Sequence, residues 1–350
     1  MKKYIILLII ILFPLRVNAT STTLMDMDNN RVLYNSNGND VRLIASISKI
    51  MTSIVAINNY DVSKMVKIDE SVLKSYGSGI YVEVGEEMSM ENLLYGLMLR
   101  SGNDAAIQIA NTVGGSMENF VKMMNDTAKS IGMKHTNFVN SSGLENNDGV
   151  GNTSTSNDMA LLMSYAMKNE KFRTIVSTKE KLVKTNYKTY MWYNKNRLLK
   201  EYKYCNGGKT GFTEKARRTL VTTASKDGMN FVVVTLNDPN DFTNHKALYE
   251  KYFNKYKSYK VLSKEDKFQN KNYYIKNDKY IALTNDEYKK LNKEIVLYDD
   301  NVSDIVGYVL IKLDDKVLVK EYIYEKKETV KKEKKKSLID KIKSFLDRMI

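Results

Sequence analysis

The order of strand-like and helix-like runs is the strongest limit on how this chain can fold. Residues 22–34 (TTLMDMDNNRVLY) read as a hairpin, two short strands around an Asp-Asn-Asn turn. Strands return at 209–213, 219–225 and 230–236, the last two joined through Lys226-Asp227-Gly228 as a tight hairpin. The long middle is helical. Ile47, Ile50, Met51 and Ile54 form the apolar stripe of a helix over 45–58. Helical runs follow at 90–112, on both sides of Ser101-Gly102-Asn103, at 117–131 and at 158–168. Residues 140–157 are polar and glycine-rich, hence loop, and 242–256 form an aromatic-rich helix. Strands at both ends of a helical middle can pair into one antiparallel sheet with helices packed around it. The predicted fold class is therefore α+β.

After Tyr259 the character changes. Lysine, tyrosine and asparagine dominate, and short β-prone runs recur at 279–283, 294–298, 305–312 and 316–324. This predicts a main domain over 20–257 and a small β-rich domain over 258–325. Cys205 is the only cysteine, so no intrachain disulfide can form and the fold must rest on its core.

The two ends carry their own signals. Lys2 and Lys3, the apolar run from Tyr4 to Phe13 and the small-x-small triplet Val17-Asn18-Ala19 predict an export signal over 1–19, cleaved after Ala19. No cysteine follows it, which argues against a lipoprotein anchor. The formal charge is +14, and Lys326–Ile350 holds ten basic against four acidic residues. In an exported chain that tail suits an anionic membrane surface or wall polymer rather than nucleic acid. Leu338, Ile339, Ile342, Phe345, Leu346, Met349 and Ile350 fall in one arc of a helix, flanked by Lys341, Lys343 and Arg348. The expectation for 326–350 is a basic tail whose amphipathic helix lies on the membrane. The protein is thus expected to be exported and peripheral to the outer face of the cytoplasmic membrane.

The chemistry starts from ASISKIMT at 45–52. A serine hydroxyl is a poor nucleophile until a base takes its proton. His135 and His245, the only histidines, lie in no obvious motif and read as surface or structural residues. Lys49, three places after Ser46, shares its helix face and can serve as that base if burial and nearby positive charge lower its pKa. Ser101-Gly102-Asn103 lies between apolar helical runs. Asn206-Gly207-Gly208-Lys209-Thr210-Gly211-Phe212-Thr213 opens a strand, where glycines let a ligand approach the backbone and Lys209 and Thr210 offer donors to a carboxylate. Gly-Lys-Thr is not a phosphate loop: Lys203 stands where the first glycine belongs, and a strand rather than a helix follows. Asp26 and Asp28 do not begin a calcium loop, because Arg31 occupies its glycine position.

Ser-x-x-Lys, Ser-Gly-Asn and Lys-Thr-Gly, in this order, resemble the penicillin-recognising serine enzymes. The stretches RLIASISKIMT, LMLRSGNDAA, FVNSSGL, STSNDMALL, NKNRLL and GGKTGFT narrow the resemblance to the low-molecular-mass D-alanyl-D-alanine carboxypeptidases, serine peptidase family S11, over residues 22 to about 256. The resemblance implies a β-lactamase/transpeptidase-like domain, with the small β domain and terminal amphipathic helix of that family's layout. It implies Ser46 as nucleophile, Lys49 as its base and Ser101 as proton relay to the leaving D-alanine. Asn103 would hold the donor peptide, and Lys209, Thr210 and Gly211 would bind the substrate and its terminal carboxylate. The backbone N–H groups of Ser46 and Phe212 would form the oxyanion hole. No cofactor or metal is implied. The implied partners are peptidoglycan stem peptides and β-lactams. A transpeptidase, endopeptidase or β-lactamase on the same fold stays open, as does a noncatalytic wall-binding protein. Two departures stand out: Ser142-Gly143-Leu144 where the family often has His-Gly-Leu, and Ala216-Arg217 where it commonly has Ala-Gly. Asn196 and Arg197 belong to a family stretch near the cleft, and Cys205 is a possible neighbour of the site.

Overall fold

The computed structural model describes residues 20–268, 272–298 and 304–326. It divides into two compact units. One runs to Tyr259 and takes in Ile281–Asn285; the other comprises Lys260–Tyr280 and the residues from Asp286 on.

In the first unit the strands are β1 (Ser21–Asp26), β2 (Arg31–Ser36), β3 (Arg42–Leu43), β4 (Met65–Lys67), β5 (Glu87–Ser89), β6 (Thr153–Ser154), β7 (Glu180–Lys184), β8 (Thr189–Tyr193), β9 (Cys205–Thr213), β10 (Arg217–Lys226) and β11 (Met229–Leu236). The helices are α1 (Lys49–Asn59), α2 (Met90–Tyr95), α3 (Asn103–Gly114), α4 (Met117–Ser130), α5 (Ser156–Ala166), α6 (Glu170–Ser177), α7 (Leu198–Glu201) and α8 (Asp241–Lys255). Five strands form one antiparallel sheet in the order β2-β1-β11-β10-β9. The first and last strands of the unit therefore meet at its centre, with Leu24 opposite Val233.

Strand alternation divides the core in two. Val221, Val232 and Val234 face the helical layer, where Ile47, Ile50, Met51, Ile54 and the apolar residues of α2, α3 and α5 are buried. Leu220, Phe231 and Val233 face the other way, onto Tyr249, Tyr252 and Phe253 of α8. Phe231 stacks on Phe253 with ring centroids 4.8 Å apart. His245 is fully buried here, its two ring nitrogens 2.7 Å from Thr222 Oγ1 and 3.0 Å from Thr235 Oγ1. His135 is exposed.

The structure refines three expectations. The helix over 45–58 opens with a 3₁₀ turn, Ala45–Ser48, before α1. The run over 90–112 is α2, then a π turn at Gly96–Arg100, then α3; Ser101 turns left-handed (φ 64°) between them. The 140–157 loop contains β6, which pairs with β3, and α5 begins two residues early because Thr155 caps it through the Asp158 N–H.

In the second unit, β13 (Tyr273–Tyr274), β15 (Leu291–Leu297), β16 (Ile305–Leu313) and β17 (Lys316–Glu325) form an antiparallel sheet ordered β13-β17-β16-β15. Two further strands, β12 (Lys257–Leu262) and β14 (Lys279–Leu283), and helix α9 (Asn285–Lys289) complete the elements of the described residues. No helix among the described residues is long and apolar enough to cross a membrane. The expected signal segment and the amphipathic tail helix lie outside the described residues.

Candidate active site

Ser46 sits on the 3₁₀ turn that leads into α1, and Lys49 follows it at the first α-helical position. In a 3₁₀ turn side chains three apart eclipse one another, so the local fold itself aims the lysine at the serine. Lys49 Nζ lies 3.1 Å from Ser46 Oγ. Its other contacts are Asn103 Oδ1 at 2.7 Å and the Ser142 carbonyl at 2.5 Å. The turn is held in an unusual backbone state. Ala45 has φ 48°, its carbonyl accepts from Ser48 Oγ at 2.8 Å, and the Ile44 carbonyl accepts from Thr219 Oγ1 at 3.0 Å.

Lys49 is fully buried. Burial pushes its pKa down to about 7; the charge of Lys195 adds to this, and Asp104 opposes it. A buried lysine near neutrality is the electrostatic condition for a general base.

Asn103 opens α3. Besides accepting from Lys49, it donates from Nδ2 to the Tyr76 carbonyl (2.6 Å) and from its backbone N–H to the Ser78 carbonyl (2.8 Å). Its neighbour Asp104 is buried, and its carboxylate accepts the N–H groups of Ile80 (3.0 Å) and Tyr81 (2.6 Å). The segment 76–81 is thus tied to the Ser101-Gly102-Asn103 turn. Lys195 reaches the same segment, its Nζ 3.2 Å from Ser78 Oγ, and its backbone N–H donates to the Leu99 carbonyl (3.2 Å).

The edge strand β9 forms the opposite wall. Gly211 packs so tightly that a Cβ there would stand 3.0 Å from Ser46 N and 3.1 Å from Ile47 N. Lys209 is buried two residues earlier on the same face, with Nζ donating to the Thr210 carbonyl at 2.7 Å. Its pKa is driven well below the ordinary lysine value, first by burial, then by the charges of Lys49 and Lys195. Burial and like charge disfavour its protonated form, and an incoming anion would offset both. Thr210 is half-buried, and the Phe212 side chain is exposed.

The structure brings Lys49 into direct contact with Ser46 and Asn103 and sets Gly211 against the Ser46 turn. Ser101 is buried in the adjoining turn. Several neighbours escaped the sequence reading. The Ser142 carbonyl meets Lys49, and Gly143 (φ 88°) leaves no room for a Cβ, which would lie 2.0 Å from the Ala45 carbonyl oxygen. The Ser142-Gly143-Leu144 departure therefore sits directly against the turn that carries Ser46. Asp104 and Lys195 carried no signal beyond adjacency to the motifs. Asn196 is a buried brace, with Nδ2 donating to the Gly207 carbonyl at 3.1 Å, whereas Arg197 is exposed over the Phe242 ring. Cys205 is half-buried, and burial pushes its thiol pKa up, away from reactivity.

Comparison with known proteins agrees with this arrangement. Residues 12–240 match the sequence model of the D-alanyl-D-alanine carboxypeptidase family. The D-alanyl-D-alanine carboxypeptidase DacF of Bacillus subtilis is 36% identical over 222 residues, 62% of this chain and 56% of that protein, so the match spans little more than half of that relative. A mutant of a Streptomyces DD-transpeptidase superposes with a TM-score of 0.63 at 30% identity, over 67% of this chain and 97% of that one. Penicillin-binding protein 5 of Haemophilus influenzae shares the fold over 87% of this chain and 95% of its own, with a TM-score of 0.72 at 24% identity. The Ser46 turn, the buried Lys49 and the glycine-lined edge strand all fall within the matched segment, and the chain belongs to the D-alanyl-D-alanine carboxypeptidase family of serine peptidases.

Proposed function

We propose that this protein is a serine-type D-Ala-D-Ala carboxypeptidase that removes the terminal D-alanine from peptidoglycan stem peptides, and that β-lactams acylate it. The observation that carries the reading is the buried Lys49 amine, 3.1 Å from Ser46 Oγ and with a pKa lowered to about 7. The substrate's terminal carboxylate docks at Lys209 and Thr210, and Asn103 holds the donor peptide. Neutral Lys49 takes the Ser46 proton as Oγ attacks the penultimate D-alanine carbonyl. The Ser46 and Phe212 N–H groups bear the oxyanion, and the tight Gly211 contact supports that pairing by holding strand and turn together. Collapse expels D-alanine, its nitrogen protonated through Ser101. Water, activated by Lys49, then hydrolyses the ester and frees Ser46. A β-lactam presents a similar amide and acylates the same oxygen.

The acceptor, water or an amine, distinguishes a carboxypeptidase from a transpeptidase, and the Streptomyces neighbour carries the latter name. Incubation with a D-Ala-D-Ala stem peptide separates the outcomes. Free D-alanine in excess over transferred or crosslink-cleaved product is expected; dominant transfer or crosslink cleavage would overturn the assignment.

The proposed setting is outside the cell, peripheral to the outer face of the cytoplasmic membrane. The reading rests on the export pattern of residues 1–19 and the apolar arc of the basic tail over 326–350. Residues 20–257 form the proposed peptidase domain and 258–325 the proposed β-rich domain.

A further inference from the structure

A cavity of about 490 Å³ opens at the tip of the β9–β10 hairpin. Its charged lining consists of Arg42, Lys215 and Arg217, against one acid, Asp40. Asp40 accepts from Arg42 Nη2 at 2.9 Å, while Arg42 Nε is buried and has no hydrogen-bond partner among the described residues. Lys215 lies over the 145–151 loop, its Nζ 2.1 Å from where a Gly149 Cβ would be. Glu145, on that loop, is occupied with Thr213 Oγ1 at 2.7 Å. Arg217 is held at φ 60°, in the left-handed region that disfavours a branched or bulky residue. An exposed arginine in that conformation, beside two further cations, leaves a surplus of positive charge facing the cavity.

Strand register relates this cavity to the cleft. Arg217 pairs with Thr213, and Thr219 with Gly211, which touches the nucleophile turn. From the other side, Arg42 and Leu43 run directly through Ile44 into Ala45-Ser46. The proposed site puts the terminal carboxylate at Lys209–Thr210 and the scissile carbonyl at Phe212. The acyl-donor chain must then continue along the β9 edge past Thr213 toward Lys215. At about 3.4 Å per residue, two substrate residues beyond the scissile carbonyl span about 7 Å, which carries the chain past Thr213 to the start of the hairpin turn, where the long side chain of Lys215 stands.

We propose that Arg42, Lys215 and Arg217 form a subsite for a carboxylate on the acyl-donor side of the substrate, two residues before the acyl D-alanine. The subsite would select anionic stem peptides over amidated ones. This rests on the carboxypeptidase reading and on its polarity of substrate binding.

The test uses the full chain with two synthetic stem pentapeptides ending in D-Ala-D-Ala. They differ only in whether the γ-linked glutamyl residue, two places before the acyl D-alanine, bears a free α-carboxylate or a carboxamide. Charge-assisted pairing predicts about a tenfold preference in kcat/KM for the acid. Arg217→Asn, which tolerates the left-handed backbone, combined with Lys215→Gln should bring the two substrates to within about twofold, with an unchanged circular dichroism spectrum. High salt should compress the wild-type preference in the same direction. Equal turnover of acid and amide by the wild type, or a full preference retained in the folded double variant, overturns the subsite. Benzylpenicillin lacks this carboxylate, so its failure to acylate wild-type Ser46 would instead overturn the carboxypeptidase reading itself.

Discussion

Gly211 and Ser46 meet backbone to backbone: a Cβ on Gly211 would lie 3.0 Å from the Ser46 amide nitrogen and 2.4 Å from Thr219 Oγ1. The edge strand and the nucleophile turn are thus fixed to one another without an intervening side chain. An alanine at 211 must push the two apart or rotate Thr219, whose hydroxyl holds the Ile44 carbonyl. Displacements of about 1 Å in an active site cost roughly a hundredfold in rate. Gly211→Ala should therefore slow benzylpenicillin acylation by about that factor, read by intact-protein mass spectrometry, and lower the melting temperature. Acylation at the wild-type rate would show that the contact has no part in aligning the oxyanion donors.

Lys49 gives a pH prediction with a definite sign. Its pKa is lowered to about 7, and only the neutral amine can accept the Ser46 proton. Acylation should rise with pH through about 7 and level off above it. Lys49→Ala and Lys49→Arg should both lose roughly 10²- to 10⁴-fold, the usual worth of positioned proton transfer, because guanidinium stays protonated. Ser46→Ala should take no penicilloyl adduct. Rapid acylation of a folded Lys49→Arg protein would dismiss lysine as the base.

Lys209 should be coupled to the substrate's terminal carboxylate. Amidating that carboxylate should hurt kcat/KM severely in the wild type and far less in Lys209→Ala, whose partner is already gone. A penalty of equal size in both proteins would assign carboxylate recognition to another residue.

His245 predicts a stability effect away from the site. Burial lowers its pKa from 6.5 to about 3. The unfolded chain therefore takes up a proton below pH 6.5 that the folded chain refuses, and stability falls as pH drops toward 3. The slope approaches about 1.4 kcal/mol per pH unit in that window. Denaturant unfolding of wild type and His245→Gln between pH 4.5 and 7.5 should show about one proton less of pH dependence in the variant; parallel slopes would contradict a buried neutral imidazole.

The basic tail predicts membrane attachment separable from catalysis. A chain ending at Glu325 should keep its acylation rate and lose co-flotation with anionic liposomes. Equal recovery of the full-length and shortened proteins in the lipid fraction would remove the tail from the anchoring role.

What could be read from sequence followed the range of the forces involved. Ser46 and Lys49 are three residues apart, so helical geometry alone connects them. The strands around Lys226-Asp227-Gly228 and the pairing of terminal strands follow from alternation and turn chemistry. The acceptors of Lys49 were harder to find. Ser142 contributes a backbone carbonyl, which leaves no trace in side-chain identity, and it comes from 93 residues away. Asp104 meets its amides 22 to 24 residues upstream. The left-handed Ala45 and the π turn before Ser101 answer to tertiary packing, which local propensity does not encode.

The place of β9 at the margin of the sheet has an evolutionary consequence. The peptide groups that an open strand offers a ligand keep their geometry whichever side chains decorate it, so drift on β9 outside Lys209, Thr210 and Gly211 changes little. Heritable change in drug sensitivity should instead concentrate where the path of the main chain can bend. The left-handed Arg217, at the turn between β9 and β10, is such a point; Gly208, whose φ of 149° and 2.5 Å approach to the Val221 carbonyl exclude a Cβ, is not. Variants selected under β-lactam pressure should accumulate around that turn before they touch Ser46 or Lys49, the proposed nucleophile and its base.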